Sequence, residues 1–310
     1  MKSAGKTRAL VAAASALVVL AGCHEYEARV EIRPDGSGTR TVIFSPELDE
    51  ALSEAEMHRI FVVSPDEGWV RVEDEQGKAR FRRTVTSATP DGWAALGGDV
   101  RLFSRTDDRD GRKGPAGLRN DVSLETGRID GGRTFTYRER LRWDGLKRDL
   151  IDLMAGVYER CVVAAWPGLP DVFVAELRGL YRGHLTQTWE RVPLSDQKDD
   201  FLDILVSAMT PDVEELVSRR NAAVDPVELV DLGVAVIEDE DSQVEGIIER
   251  DLMGVAQAFV SSLKLSVEMP GEIIDTNGTV DDEGAVAWTV GLLEPMDKHV
   301  ELVVRSLVRD

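Results

Sequence analysis

The chain has 310 residues, 37 of them Lys or Arg and 57 Asp or Glu, for a formal net charge of −20. Phosphate backbones are gripped by Lys and Arg displacing condensed counterions, so this balance excludes a general nucleic-acid binder and disfavours a bare anionic bilayer as a docking surface. Two cysteines exclude a disulfide framework and a cysteine zinc cage.

Lys2, Lys6 and Arg8 make a basic start, Ala9 to Leu20 an apolar stretch, and Ala21-Gly22 a pair of small residues before Cys23. The apolar run is shorter than the roughly 20 residues needed to cross a bilayer, so residues 1–22 are read as a removable signal peptide. Leu20-Ala21-Gly22-Cys23 resembles the lipobox of type II bacterial lipoprotein signals. The resemblance implies cleavage between Gly22 and Cys23. It also implies a thioether-linked diacylglycerol on Cys23, joined by an amide-linked acyl chain of the palmitate type. Two or more chains anchor stably where one does so only marginally. His24 rather than aspartate follows the cysteine; in a Gram-negative host, lipoprotein sorting then implies the outer membrane, with the body facing the periplasm.

Residues 23–143 read as a β-rich region. Tyr26 to Arg33 alternates Ala28, Val30 and Ile32 with charged neighbours, and Pro34-Asp35-Gly36-Ser37-Gly38 turns the chain into Thr39 to Phe44, which together predict a hairpin. Ser45-Pro46 is read as an N-cap and first helical residue of an acidic helix reaching about Arg59. Further strands are expected at Gly68–Glu73, Lys78–Ser87, Asp121–Glu125 and Arg133–Trp143; in the last, Phe135, Tyr137, Glu139 and Leu141 fall on one face. Ser104 to Asn120 is polar and Gly-containing, and is read as a solvated loop. Its Asp107, Asp108 and Asp110 are balanced by basic neighbours and lack the glycine placement of a calcium loop.

Residues 144–262 read as a helical insertion. Leu146, Leu150, Met154, Val157 and Cys161 recur at helical spacing, as do Phe173, Leu177, Leu180, Tyr181, Leu185 and Trp189, and Val244, Ile247, Ile248, Leu252, Val255 and Phe259. Cys161 is thereby expected to pack as a small hydrophobe. Trp166-Pro167-Gly168-Leu169-Pro170-Asp171 separates two helices, Thr210-Pro211 is expected to start another, and Asp225-Pro226-Val227-Glu228 has the form of a capped N-terminus. Leu232 to Ile237 suits either helix or strand.

Residues 263–310 return to strand chemistry at Leu263–Glu268, Ile273-Ile274, Ala285–Val290 and Val300–Val304, with turns at Pro270-Gly271 and Asn277-Gly278. The run Val267 to Gly278, closing with Val286-Ala-Trp288-Thr-Val290, resembles the ending of LppM-type bacterial lipoprotein domains, as does the opening strand with Pro34 to Gly38. The resemblance implies an envelope-exposed α+β domain with affinity for lipid or another amphiphile, and brings no catalytic residues. A piece this short is marginal alone. The fold expected is therefore α+β: an antiparallel sheet formed by the N- and C-terminal regions, with the helices inserted between them.

No nucleophile elbow, phosphate loop or His-x-x-x-His zinc motif is present, and Asp275-x-Asn277 with Asp281 mimics only part of a calcium loop. The expectation is a protein that is not an enzyme, with no catalytic residue, metal or cofactor. It would be a lipid-anchored binding or assembly component of the cell envelope whose partner is an envelope protein or lipid. Tyr158, Trp166, Tyr181 and Trp189 are candidates to line an apolar groove for an acyl chain, against a plain core role. A lipid carrier and a carboxylate-dependent hydrolase are the alternative readings.

Overall fold

The computed structural model describes residues 24–46, 54–74, 77–103, 117–192, 198–238, 257–258, 261–296 and 298–310. Gly22 and Cys23 lie outside them, as do residues 104–116 and the third apolar stripe, Val244 to Phe259. The chain divides into two compact units, residues 1–144 with 249–310 and residues 145–248. They are called the β unit and the helical unit below.

In chain order the β unit contains β1 (His24–Ile32), β2 (Gly38–Ser45), α1 (Glu54–Phe61), β3 (Val70–Glu73), β4 (Ala79–Ser87), a 3-10 turn at Pro90–Leu96, β5 (Arg101–Phe103), β6 (Gly117–Ile129) and β7 (Gly132–Asp144). After the helical unit come β8 (Ser261–Glu268), β9 (Glu272–Thr276), β10 (Thr279–Val280), β11 (Val286–Gly291) and β12 (Val300–Arg309). The architecture is α+β. The strands form two sheets, a seven-stranded one of order β10-β11-β8-β1-β2-β4-β3 and a five-stranded one of order β5-β6-β7-β12-β9. Each sheet mixes strands from both ends of the chain, so the single shared sheet read from the sequence is two. One pairing also departs from the antiparallel expectation: β1 and β8 run parallel, His24 opposite Ser261 and Glu31 opposite Glu268. Parallel neighbours need a crossover, and here the whole intervening chain provides it.

The alternating pattern explains the packing. Tyr26, Ala28, Val30 and Ile32 of β1, Val42 and Phe44 of β2 and Leu263, Leu265 and Val267 of β8 are buried on one face. They join Leu118 and Val122 of β6, Phe135 and Leu141 of β7 and Leu302 and Val304 of β12 in one contiguous core. Each Val, Leu, Ile or Phe among them contributes on the order of 1.5–3 kcal/mol by leaving water. The β1–β2 hairpin holds its expected register, Ile32 opposite Gly38 and Glu25 opposite Ser45. Gly36 in its turn has φ +85°, a conformation glycine adopts at little cost, and a side chain on Gly38 would meet Trp93 at 2.5 Å.

Three local expectations are corrected. Ser45 is the last residue of β2, paired with Glu25, rather than a helix N-cap, because the hairpin ladder extends through it. Residues 117–120, assigned to the loop, belong to β6: Leu118 is an apolar residue of the core and Asn120 a buried polar one. Asn277-Gly278 is not a hairpin turn within one sheet but the point where the chain passes from β9 in one sheet to β10 in the other. Asn277 fixes that crossing, since its Oδ1 accepts from the Trp288 indole and the Val303 amide, both at 2.9 Å, and its Nδ2 donates to the Glu301 carbonyl at 2.7 Å.

The helical unit contains α2 (Leu146–Ala165), α3 (Asp171–Arg191), α4 (Lys198–Arg220) and α5 (Pro226–Glu238). Apolar stripes bury Met154 and Val157, Phe173, Leu177 and Leu185, Phe201, Leu205, Met209, Val213 and Leu216, and Leu229 and Val236. Leu232–Ile237 is helical, and Asp225 caps α5 by accepting from the Val227 amide at 2.9 Å. Pro211 does not begin a helix but lies inside α4. An interior proline costs about 3 kcal/mol. The buried apolar stripe from Phe201 to Leu216 spans it and offsets that cost.

Candidate functional site

Of the four sequence candidates the structure brings two into contact. Tyr158 and Tyr181 pack against each other, ring centroids 4.3 Å apart, and donate to the Leu229 carbonyl at 2.9 Å and the Gly233 carbonyl at 2.7 Å. Burial raises the pKa of both hydroxyls far above the ordinary phenol value, with Tyr158 and Cys161 adding to the effect at Tyr181. Trp189 is buried edge-on against Phe201. These three side chains fill the helical unit rather than face an opening. Trp166 is half-buried at the end of α2, and Cys161 is also half-buried.

A groove does open in the helical unit, between α3 and α4, with a volume of about 410 Å³. Its floor is low because Gly179 and Gly183, one turn apart on α3, leave open space where side chains would stand. Its walls carry His184, Asp212, Gln187, Glu176 and Arg219. His184 Nε2 lies 2.9 Å from Asp212 Oδ2; the carboxylate can only accept, so Nε2 carries a proton, and Nδ1 is buried without a hydrogen-bond partner. Asp212 orients the imidazole as in a general-base pair, and among the described residues no Ser, Thr or Cys lines the groove. The groove presents hydrogen-bonding groups that a polar ligand could meet.

The strongest electrostatic feature lies inside the β unit. Arg40 on β2 points inward and is fully buried. Its Nε and Nη2 donate to Asp99 at 2.7 and 3.0 Å, its Nη1 and Nη2 to Glu139 on β7 at 2.9 and 3.0 Å. Asn120 on β6 donates to both carboxylates, at 2.9 and 2.8 Å, and accepts from the amides of Gly98 and Val100. The Tyr137 hydroxyl donates to Glu139 at 2.8 Å. Burial opposes the guanidinium charge, but Asp99 and Glu139 outweigh it and hold the Arg40 pKa well above its ordinary value. Burial first, and Glu139 second, push the Tyr137 hydroxyl up. The cluster joins the two sheets. Its two carboxylates converge, but both are buried, so no substrate reaches them.

None of these groups was singled out from the sequence except as a strand position. Among the described residues no three His, Cys, Asp or Glu side chains could hold a metal ion, and no helix is long and apolar enough to cross a membrane. Two side-chain oxygens in the partial calcium motif are engaged at home: Oδ1 of Asn277 as given above, and Asp281 Oδ1 by the amides of Glu283 and Ala285.

No protein-family model and no curated protein matches the chain. Among solved structures it is similar to the folded domain of LppM from Mycobacterium tuberculosis, determined by NMR, at 12% identity over 94% of this chain and 92% of that one, with a TM-score of 0.30.

Proposed function

We propose that the chain is an exported lipoprotein, held on a membrane by lipid on Cys23, whose body works by binding rather than by catalysis. The observation that supports the anchor is how near β1 lies in the chain to the lipobox. β1 starts at His24, directly after the lipobox cysteine, and that histidine is itself buried against Phe44 and Phe61, with Nε2 2.8 Å from Gln257 Oε1. An acyl group on Cys23 would thus be joined to a central strand without a tether. In a Gram-negative host the same reading places the protein on the outer membrane with the body in the periplasm. The closed carboxylate cluster and the polar groove on α3 and α4 favour ligand binding over hydrolysis.

The test is Cys23→Ser expressed behind an ordinary secretory leader. The native protein is expected to stay with membranes through an alkaline carbonate wash and to carry the added mass of diacylglycerol on its first residue. The variant is expected to be recovered almost wholly in the soluble fraction, because two or more acyl chains, at about 0.8 kcal/mol per buried methylene, are lost. Retention of the variant in washed membranes would overturn the anchor.

A further inference from the structure

The helical unit has one end that is built differently from the rest of its surface. α2 passes to α3 through Trp166–Pro170, and α4 to α5 through residues 221–225. Both turns lie at the same end of the bundle. Tyr158 of α2 reaches Leu229 in the first turn of α5, and Glu176 in the second turn of α3 pairs with Arg219 and Arg220 at the close of α4. From Cys161 to Pro170 no residue carries a charge, nor does any from Asn221 to Val224.

Scattered exposed aliphatics are normal on any protein. Here their placement is not scattered. The large aliphatic side chains that stand exposed in the described helical unit are Val163 at 49%, Val172 at 53% and Val227 at 57%. Val163 lies in the last turn of α2, Val172 in the first of α3 and Val227 in the first of α5, all at this end. Trp166, Pro167, Leu169 and Pro170 lie between the first two.

We propose that this end of the helical unit rests in the headgroup layer of a zwitterionic bilayer. Three features select that occupant. Two helices finish here and two begin; local bonds engage some of their end groups, among them the amides of Phe173 and Val227 and the carbonyls of Val162, Val217 and Ser218, and hydrated headgroups can supply partners to the rest where a dry protein interface would not. Tryptophan, with an apolar body and one N–H, is the side chain that favours this depth. The charged collar carries both signs and is largely paired within itself, Arg178 with Glu159 and Arg219 and Arg220 with Glu176, while Arg160, Asp171 and Glu228 add charges of both signs. It complements headgroups that bear a phosphate and an amine together, whereas the acidic chain as a whole is repelled by anionic lipid. The contact is shallow and reversible, distinct from the acyl anchor, and rests on the exported reading above only for which membrane is met.

The experiment uses the mature chain, residues 23–310, carrying Cys23→Ser, so that no acyl chain contributes. It is floated with vesicles of phosphatidylcholine and phosphatidylethanolamine. Co-flotation is expected, little changed by salt and weakened when phosphatidylglycerol is added. The combined variant Val163→Ser, Trp166→Ser, Val172→Ser, Val227→Ser is expected to float at least about tenfold less, with unchanged circular dichroism because three of the four side chains are already exposed. Quenching of tryptophan emission by brominated lipid should fall in Trp166→Phe, a milder change that keeps the fold. Equal flotation of native and variant chains, or none by either, would overturn the proposal. So would a concentration-dependent dimer abolished by the variant, which would assign the end to a second copy. Failure here leaves the Cys23 anchor intact, and failure of the anchor leaves this measurement unaffected.

Discussion

Arg40→Ala is expected to destabilise the β unit by about 3–5 kcal/mol, enough to unfold a marginally stable domain. The loss is not that of the attraction itself, much of which repays the desolvation of three charges. It is the cost of leaving Asp99 and Glu139 ionised, buried and facing one another with only Asn120 and Tyr137 as donors. Arg40→Lys should recover only part of it, since an ammonium cannot serve two carboxylates with the planar fork that Arg40 uses. Adding Asp99→Asn and Glu139→Gln to Arg40→Met should recover more than the lysine does, because no charge then remains buried. Urea denaturation followed by far-ultraviolet circular dichroism ranks the three variants. A loss under about 1 kcal/mol for Arg40→Ala would mean that the cluster is not the lock between the sheets described above.

Alkaline pH should unfold both units steeply. The chain has four tyrosines, and Tyr26, Tyr137, Tyr158 and Tyr181 are all buried with their hydroxyls bonded. Burial raises the pKa of each; Asp99 adds to the effect at Tyr26 and Glu139 at Tyr137. A raised phenol in the folded state leaves stability untouched below the unfolded value near 10. Above it the unfolded chain releases protons that the folded chain keeps, so stability falls with rising pH. Each tyrosine contributes a slope of about 1.4 kcal/mol per pH unit, and with two in each unit the loss is about 2.7 kcal/mol per pH unit. Phenolate absorbance and helical ellipticity are expected to change together in cooperative transitions above pH 10. Tyr158→Phe with Tyr181→Phe should flatten the slope for the helical unit. Gradual titration centred on pH 10 with ellipticity intact would contradict the burial of these side chains.

Much of the fold could be read because its periodicities are long and clean. The hairpin of β1 and β2, the strand β7 and the stripes of α2 and α3 all announce which face is buried. The sheet topology was less legible: alternation tells a strand from a helix but not which strand lies beside it, and so neither the division into two sheets nor the parallel β1–β8 pair could be seen. Pro211 misled because local propensity was overridden by an apolar face running from Phe201 to Leu216. Ser45-Pro46 misled because cap chemistry and strand endings use the same residues.

The ion cluster had a visible signal. Arg40 shares the inward parity of Val42 and Phe44, Glu139 that of Tyr137 and Leu141, and Asn120 that of Leu118 and Val122. Opposite charges at core positions of separate strands imply that they meet. What completes the cluster, Asp99, comes from an irregular segment whose position no periodicity encodes. The His184–Asp212 pair was hidden for a similar reason, since the two residues lie on different helices and their register depends on how α3 packs on α4.

The parallel pairing of β1 with β8 also sets a timetable for synthesis. A chain emerging from its N-terminus presents β1 and β2 first, but β1 stays an open edge until residue 268 has appeared, and β7 until residue 309. Helices α2 to α5 meet through neighbours close in sequence and complete their unit much sooner. Both sheets therefore pass most of translation with an uncovered hydrogen-bonding edge, the state most prone to wrong pairing. Closure comes late: β8 adds to the waiting edge of β1 and is then covered by β11, and β12 slots between β7 and β9. If the chain is exported as proposed, this order suits it to crossing a membrane unfolded and assembling its sheets on the far side.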